Sequence, residues 1–241
     1  MFTRSLALFL LAALSAGASP PVAEPPAFGD PTAITHELVP FVPGSVNIFR
    51  GRSDGERTTA LFSQLEETRV FSWGGGEVEC RIVEEQEFAD GVLVEISTNY
   101  LAQDDAGNVH SFGEVSIVYG DGLPPETEED SWLVGGATLP GDPPEAQSVT
   151  DPMMFMPAEL LPGVSFVLQQ LPGKLETLTV LEMDLTVKVG AGKFEGAVRF
   201  QELDDGEDGG TTGSKWFAPG IGLVREKEKG ARSELIATSL P

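Results

Sequence analysis

Several groups of side chains in this sequence have types and spacing that could do chemistry. Gly51-Arg52-Ser53-Asp54-Gly55 fits the Gly-x-Ser-x-Gly elbow of serine hydrolases, with His110 downstream as a formal base. That elbow works where a strand passes through a strained turn into a helix, so that the hydroxyl stands beside an oxyanion hole. Here strand-like residues flank both sides and no acid-then-histidine order follows, so the segment reads as a hairpin turn. Asp204-Asp205-Gly206-Glu207-Asp208-Gly209-Gly210 begins like a calcium loop with glycine at its sixth position. Its twelfth position, where a bidentate glutamate should sit, is Lys215, and a solvated hairpin tip is expected instead. The carboxylates of Glu84-Glu85-Gln86-Glu87 and Glu126-Thr127-Glu128-Glu129-Asp130 could supply the acid and base of sugar hydrolysis. Such catalysis needs a desolvated site that raises one pKa, whereas these runs read as solvent-facing acids. His36 and His110 are the only histidines, and neither a His-x-x-x-His nor a Cys-x-x-Cys pair occurs, so a transition-metal site is not expected. From residues alone, no catalytic, cofactor-binding or metal-binding residue is assigned.

The elements that would position these groups read as strands. Strand patterns run Thr58 to Phe62, Thr68 to Ser72, Val78 to Val83, Val92 to Leu101, Val109 to Phe112 and Val115 to Tyr119. Gly74-Gly75-Gly76, Ala89-Asp90-Gly91 and Asp104-Asp105-Ala106-Gly107-Asn108 separate them, all with the chemistry of tight turns. After a Pro-, Gly- and acid-rich connection over 121–159, the pattern resumes with Phe166 to Leu168, Leu175 to Val180 and Leu185 to Val189. Phe194 to Phe200, Lys215 to Ala218, Ile221 to Lys227 and Ser233 to Thr238 complete it. The connection holds Trp132-Leu133-Val134 and Met153-Met154-Phe155-Met156, which should pack onto the sheet. No stretch keeps a helical period over three turns.

The chain also states one pattern twice. Gly76-Glu77-Val78-Glu79-Cys80-Arg81-Ile82 resembles Gly192-Lys193-Phe194-Glu195-Gly196-Ala197-Val198, and the spacing from Gly76 to Ala102 equals that from Gly192 to Ala218. The expected fold is therefore all-β, an antiparallel sandwich or barrel-like fold built from two similar repeats, 38–120 and 160–241. Each repeat is expected to contribute one sheet, or half a barrel, and closure of this size can leave a cavity.

Compartment and charge bound the function. Residues 1–18 carry Arg4, an apolar core from Leu6 to Leu14 and small residues at Ala16 and Ala18, the parts of a secretory signal peptide cleaved after Ala18. That core is too short to span a bilayer, so no transmembrane segment is expected. Residues 19–37 are expected to form a disordered Pro-rich leader, because 19–35 alone hold five of the eighteen prolines. The mature chain has 14 basic against 38 acidic residues, a net charge of −24. Such a charge repels phosphates and excludes nucleic acid as a partner. Cys80 stands alone, so no intramolecular disulfide is possible, and it reads as a buried apolar residue.

Two stretches carry a family resemblance. Tyr100-Leu101-Ala102-Gln103-Asp104 through Gly107-Asn108-Val109 and Phe112-Gly113-Glu114 gives the pattern YxAQDxxGNVxxFGE. Trp216-Phe217-Ala218-Pro219-Gly220-Ile221-Gly222-Leu223-Val224 gives WFAPGxGLV, preceded by the hairpin Val189-Gly190-Ala191-Gly192-Lys193-Phe194-Glu195. Over most of 41–226 the chain resembles a group of uncharacterised exported bacterial β-proteins, many with a lipid-bearing cysteine that this chain lacks. The resemblance implies a secreted or surface-tethered β-domain and transfers no catalytic residue. The reading that follows is an exported non-enzymatic β-protein, secreted or periplasmic. It would bind a small molecule or protein partner, or play a structural role in the envelope. The alternative is a secreted hydrolase using Ser53 or a carboxylate pair.

Overall fold

The computed structural model describes residues 25–120, 123–206 and 210–241. Among them there is no helix, and the protein is all-β. The strands are β1 (Val46–Ser53), β2 (Glu56–Trp73), β3 (Gly76–Ala89), β4 (Val92–Gln103) and β5 (Val109–Val118). Four short ones follow, β6 (Glu126–Thr127), β7 (Trp132–Val134), β8 (Gln147–Val149) and β9 (Met153–Met156). The last six are β10 (Ser165–Leu171), β11 (Lys174–Val189), β12 (Gly192–Gly206), β13 (Thr211–Ala218), β14 (Gly222–Lys227) and β15 (Ala231–Thr238). Residues 1–18, read as a signal peptide, lie outside the described residues.

The strands form one continuous sheet in the order β10-β11-β12-β13-β14-β15-β1-β2-β3-β4-β5-β7-β8, with β6 and β9 also on β5. All pairs are antiparallel except β7 with β8. This corrects the expectation of one sheet per repeat: β1 pairs with β15, so the C-terminal strand joins the halves edge to edge. The two ends of the sheet meet where β10 lies against β9, but no ladder joins them and the sheet does not close into a barrel.

Turn chemistry explains the long hairpins. Asp54-Gly55, Gly74-Gly75 and Asp90-Gly91 all have positive φ at both positions, the two-residue turns whose twist matches that of the flanking strands. Segments expected to be separate are single bent strands. β2 carries a bulge between Gln64 and Thr68, and β11 shifts register repeatedly between Val180 and Val187. A bulge leaves residues unpaired and bends the strand, which lets one strand serve two cores.

Three buried clusters follow from that bending. Leu101 and Val109 pack with Leu178, Val180, Val198, Phe200 and Phe217 at the centre, where the sheet folds over itself. Phe71, Val78, Cys80 and Phe112 pack with Trp132, Leu133 and Val134 on one flank. Phe49, Val187, Ala218, Val224 and Leu235 fill the other. Within the connection, β6, β7, β8 and β9 are thus edge strands whose apolar residues cover β5. Cys80 is fully buried, and burial pushes its thiol well above the usual range.

Residues 25–37 correct the expectation of a disordered leader. Phe28 packs edge-on against Trp73, His110 and Phe112. The Gln103 side-chain carbonyl accepts from the backbone N–H groups of Thr35 and His36, and Arg81 donates to the Thr32 carbonyl. Proline there limits hydrogen bonding within the segment, but side chains of the sheet supply partners instead.

Candidate functional site

Alternation along the strands sets one face inward. On β3 the inward residues are Val83, Glu85 and Glu87; opposite them stand Phe62 and Ala60 on β2 and Asn99, Ser97 and Glu95 on β4. Across the fold, β13 and β14 place Lys215 opposite Glu226, and β12 places Glu202 two residues beyond Phe200, itself paired with Lys215. On β11, Leu178 and Glu176 take the same sense. Each wall therefore runs from apolar residues near the central cluster to acids toward one end.

These walls line a half-open cavity of about 390 Å³, within the range of roughly 300–1,000 Å³ typical of small-molecule sites. Leu38, Leu101, Leu178, Phe217 and Leu223 form its apolar part, and Glu85, Glu87, Glu114, Glu176, Glu226 and Lys215 its polar part. An adjoining pocket of about 280 Å³ shares Phe62, Glu85, Glu87, Lys215 and Glu226 and reaches the β1–β2 and β14–β15 hairpins.

The electrostatics follow from crowding acids around one cation. Lys215 Nζ lies 2.5 Å from Glu202 Oε1 and 3.6 Å from Glu226 Oε1. Burial opposes its charge, but the surrounding glutamates outweigh that and hold the ammonium well above its ordinary pKa. Burial, then repulsion from Glu87 and Glu226, pushes Glu85 well above the carboxylate range. A hydrogen bond between Glu85 and Glu87 holds the proton on Glu85. Glu176 and Glu202 form a second such pair. Burial lifts Glu176 to about 8, whereas Glu202, although also buried, is held low by Lys215 and by the Glu176 hydrogen bond. Glu114 is raised by burial and by Asp130. Glu128, raised to about 7, adjoins Asp130, whose carboxylate pairs with Lys174 across the seam between the sheet ends.

Glu85 and Glu87 are the acids that the sequence placed in solvent. Only Glu84 and Gln86 of that run face outward, joined by a hydrogen bond of 2.8 Å. Ser53 and His110 are not brought together. Ser53 is exposed beside the Asp54-Gly55 turn, whereas His110 is buried with Nε2 2.9 Å from Asp104 Oδ2. The Asp104 carboxylate also accepts from the Ala106 and Asn108 backbone and from Asn108 Nδ2, which makes it a turn anchor. His36 Nε2 lies against the Pro157 carbonyl. In the possible calcium loop, residues 207–209 lie outside the described residues. Among the described residues, no cluster of His, Cys, Asp or Glu has the arrangement of a metal site.

The two motif stretches frame the chamber. Gln103 ties the N-terminal strap to β4, and Asn108 ties residue 158 to the β4–β5 turn that Asp104 anchors, while Glu114 lines the cavity. Leu101 and Phe217 both face the central cluster, and Tyr100 and Trp216 each flank a side cluster. Their registers differ by one residue, since Tyr100 pairs with Ile82 and Trp216 with Arg199. The Trp216 indole is half-buried under Arg225, 5.6 Å from ring centre to guanidinium carbon.

No family model and no curated protein matches this chain. Among solved structures it is similar to a candidate exported protein with a YmcC-like fold from Bacteroides fragilis, at 12% identity and a TM-score of 0.46. That match covers 85% of this chain and 99% of the other. It is also similar to a candidate lipoprotein from Parabacteroides distasonis, at 10% identity, a TM-score of 0.42 and the same coverage. Both likenesses are too distant to carry a role to this chain.

Proposed function

We propose that this is an exported, non-enzymatic protein that holds a small molecule in the chamber between its sheet walls. The observation that carries the reading is the cavity of about 390 Å³, apolar at one end, where it abuts the central cluster, and acidic at the other. A purely structural module has no need of a hollow centre lined by carboxyls, each of which costs free energy to bury. Export is supported by the charge, core and small-residue pattern of residues 1–18. Against the Ser53 form of the hydrolase reading stands the exposed Ser53, remote in environment from a His110 that Asp104 and Phe28 enclose.

Fluorescence titration with N-phenyl-1-naphthylamine, a neutral apolar probe, tests the binding reading. The parent should bind it saturably at one site. Asn99→Phe, which places a ring in the chamber wall, should abolish binding while leaving the melting transition intact. Equal binding by a folded Asn99→Phe variant would place the probe elsewhere and remove the reading.

A further inference from the structure

Alternation sorts the charges of β14, β15, β1 and β2 by face. Val224, Leu235, Phe49 and Ala60 point into the flank cluster, so the residues next to them in sequence point away from it. On that outer face Lys227 stands opposite Arg232, Arg232 opposite Arg52 and Arg52 opposite Arg57, an unbroken row of four cations across four strands. All four are exposed. In the next row of the same face, Arg225 and Arg50 flank Glu234. Glu234 is the only acid in these two rows, and Arg225 Nε engages it at 3.0 Å. The neighbouring acids Glu56, Glu226 and Glu228 alternate to the opposite face.

Like charges directly opposite one another weaken a sheet, yet six of the fourteen basic residues of a mature chain with a net charge of −24 gather on this one patch. Arg57 reaches Asp90 at 3.0 Å between exposed side chains, and Arg52 donates to the Gly55 carbonyl. Arg50, Lys227 and Arg232 make no ion pair among the described residues. The patch is broad: three strand spacings of about 4.8 Å by one same-face step of about 6.8 Å give roughly 14 Å by 7 Å. All four strands are interior to the sheet, so their backbone groups are already bonded and give an added peptide strand nothing to pair with. A planar array of anionic groups, in contrast, meets all six cations at once. At physiological ionic strength charges farther away than about 8 Å are largely screened, so at contact the patch outweighs the acids on the rest of the molecule.

We infer that the outer face of β14, β15, β1 and β2 docks on an anionic lipid surface, its arginines pairing with head-group phosphates. This docking stands apart from what the chamber holds. It also gives the chamber a setting, because the adjoining pocket reaches the same two hairpins, β1–β2 and β14–β15, and a docked molecule holds that opening beside the lipid.

Co-sedimentation of the mature protein with vesicles tests this, using phosphatidylcholine alone and phosphatidylcholine in which about a third of the lipid is phosphatidylglycerol. At about 50 mM salt the anionic vesicles should bind at least about tenfold more tightly than the neutral ones, and about 500 mM salt should release the protein. Arg52→Gln/Arg232→Gln should weaken anionic binding at least about tenfold. Its urea midpoint should not fall, since the substitutions remove like-charge repulsion. Ser72→Asp/Thr150→Asp makes the same change in net charge at exposed positions away from the patch, and it should stay within about threefold of the parent. Equal binding to the two vesicles, or anionic binding unchanged in the folded arginine variant, overturns the inference. Soluble poly-L-glutamate bound as tightly as the anionic vesicles, per anionic group, would make the partner an acidic polypeptide and overturn it as well. The arginine variant should still bind N-phenyl-1-naphthylamine like the parent. Failure of that probe with the parent removes the chamber reading and leaves the docking face standing.

Discussion

Replacing Glu176 by Gln should flatten the pH dependence of this protein's stability. Its carboxyl, lifted from 4.5 to about 8 chiefly by burial, binds a proton more tightly in the folded chain than in the unfolded one. The associated stability is fully present below the unfolded value and is lost as pH rises toward about 8. The lift corresponds to about 5 kcal/mol at roughly 1.4 kcal/mol for each tenfold change in proton affinity. Because water reaches the chamber, screening reduces this to about 2–3 kcal/mol. Gln keeps an N–H to donate to Glu202 and cannot ionise, so the variant escapes the penalty. Urea unfolding followed by tryptophan fluorescence at about pH 5 and about pH 8.5 reads the difference directly. The variant should match the parent within about 0.5 kcal/mol at the lower pH and exceed it by about 2–3 kcal/mol at the higher. Parallel pH profiles for the two proteins would refute the claim that Glu176 is held protonated in the wall.

Arg69 and Asp142 form a buried bidentate pair, with contacts of 2.6 and 2.9 Å. Arg69→Met should therefore lower unfolding free energy by about 3–5 kcal/mol by stranding the carboxylate; a urea midpoint near the parent's would contradict this. At Gly113 an added Cβ would lie 2.7 Å from Leu133 Cδ2 and 2.9 Å from the Trp132 carbonyl, so Gly113→Ala should cost about 1–3 kcal/mol by pushing β7 off β5. Thermal melting checks it, and an unchanged transition would mean that β7 yields freely. Secretion should release a chain beginning at Ser19, which intact mass spectrometry would contradict by finding Arg4 in the exported protein.

The strand pattern was legible because alternation and turn residues are local. Asp54-Gly55 and Asp90-Gly91 announce their hairpins wherever the sheet goes. Bulges were not, since the residues between Gln64 and Thr68 look like a break in sequence and act as a bend within one strand. Nor was the inward direction of Glu85 and Glu87. Glu84 and Gln86 alternate with them on the other face, so with polar residues on both faces the sequence gives no sign of which side the closing sheet will cover. The strap over residues 25–37 was misread from its prolines because its anchors, Gln103 and Arg81, lie far along the chain. The chamber itself is a product of β11–β13 folding over β3–β5, and no local window contains it.

Of the three tryptophans, Trp132 alone lines the chamber; Trp73 donates to Asp151 outside it and Trp216 lies beneath Arg225. Following the three indole N–H signals by NMR during titration with N-phenyl-1-naphthylamine therefore tests the central claim at its site. The Trp132 signal should shift saturably while those of Trp73 and Trp216 hold still. A stationary Trp132 signal at a probe concentration that saturates fluorescence would contradict a ligand held between the sheet walls.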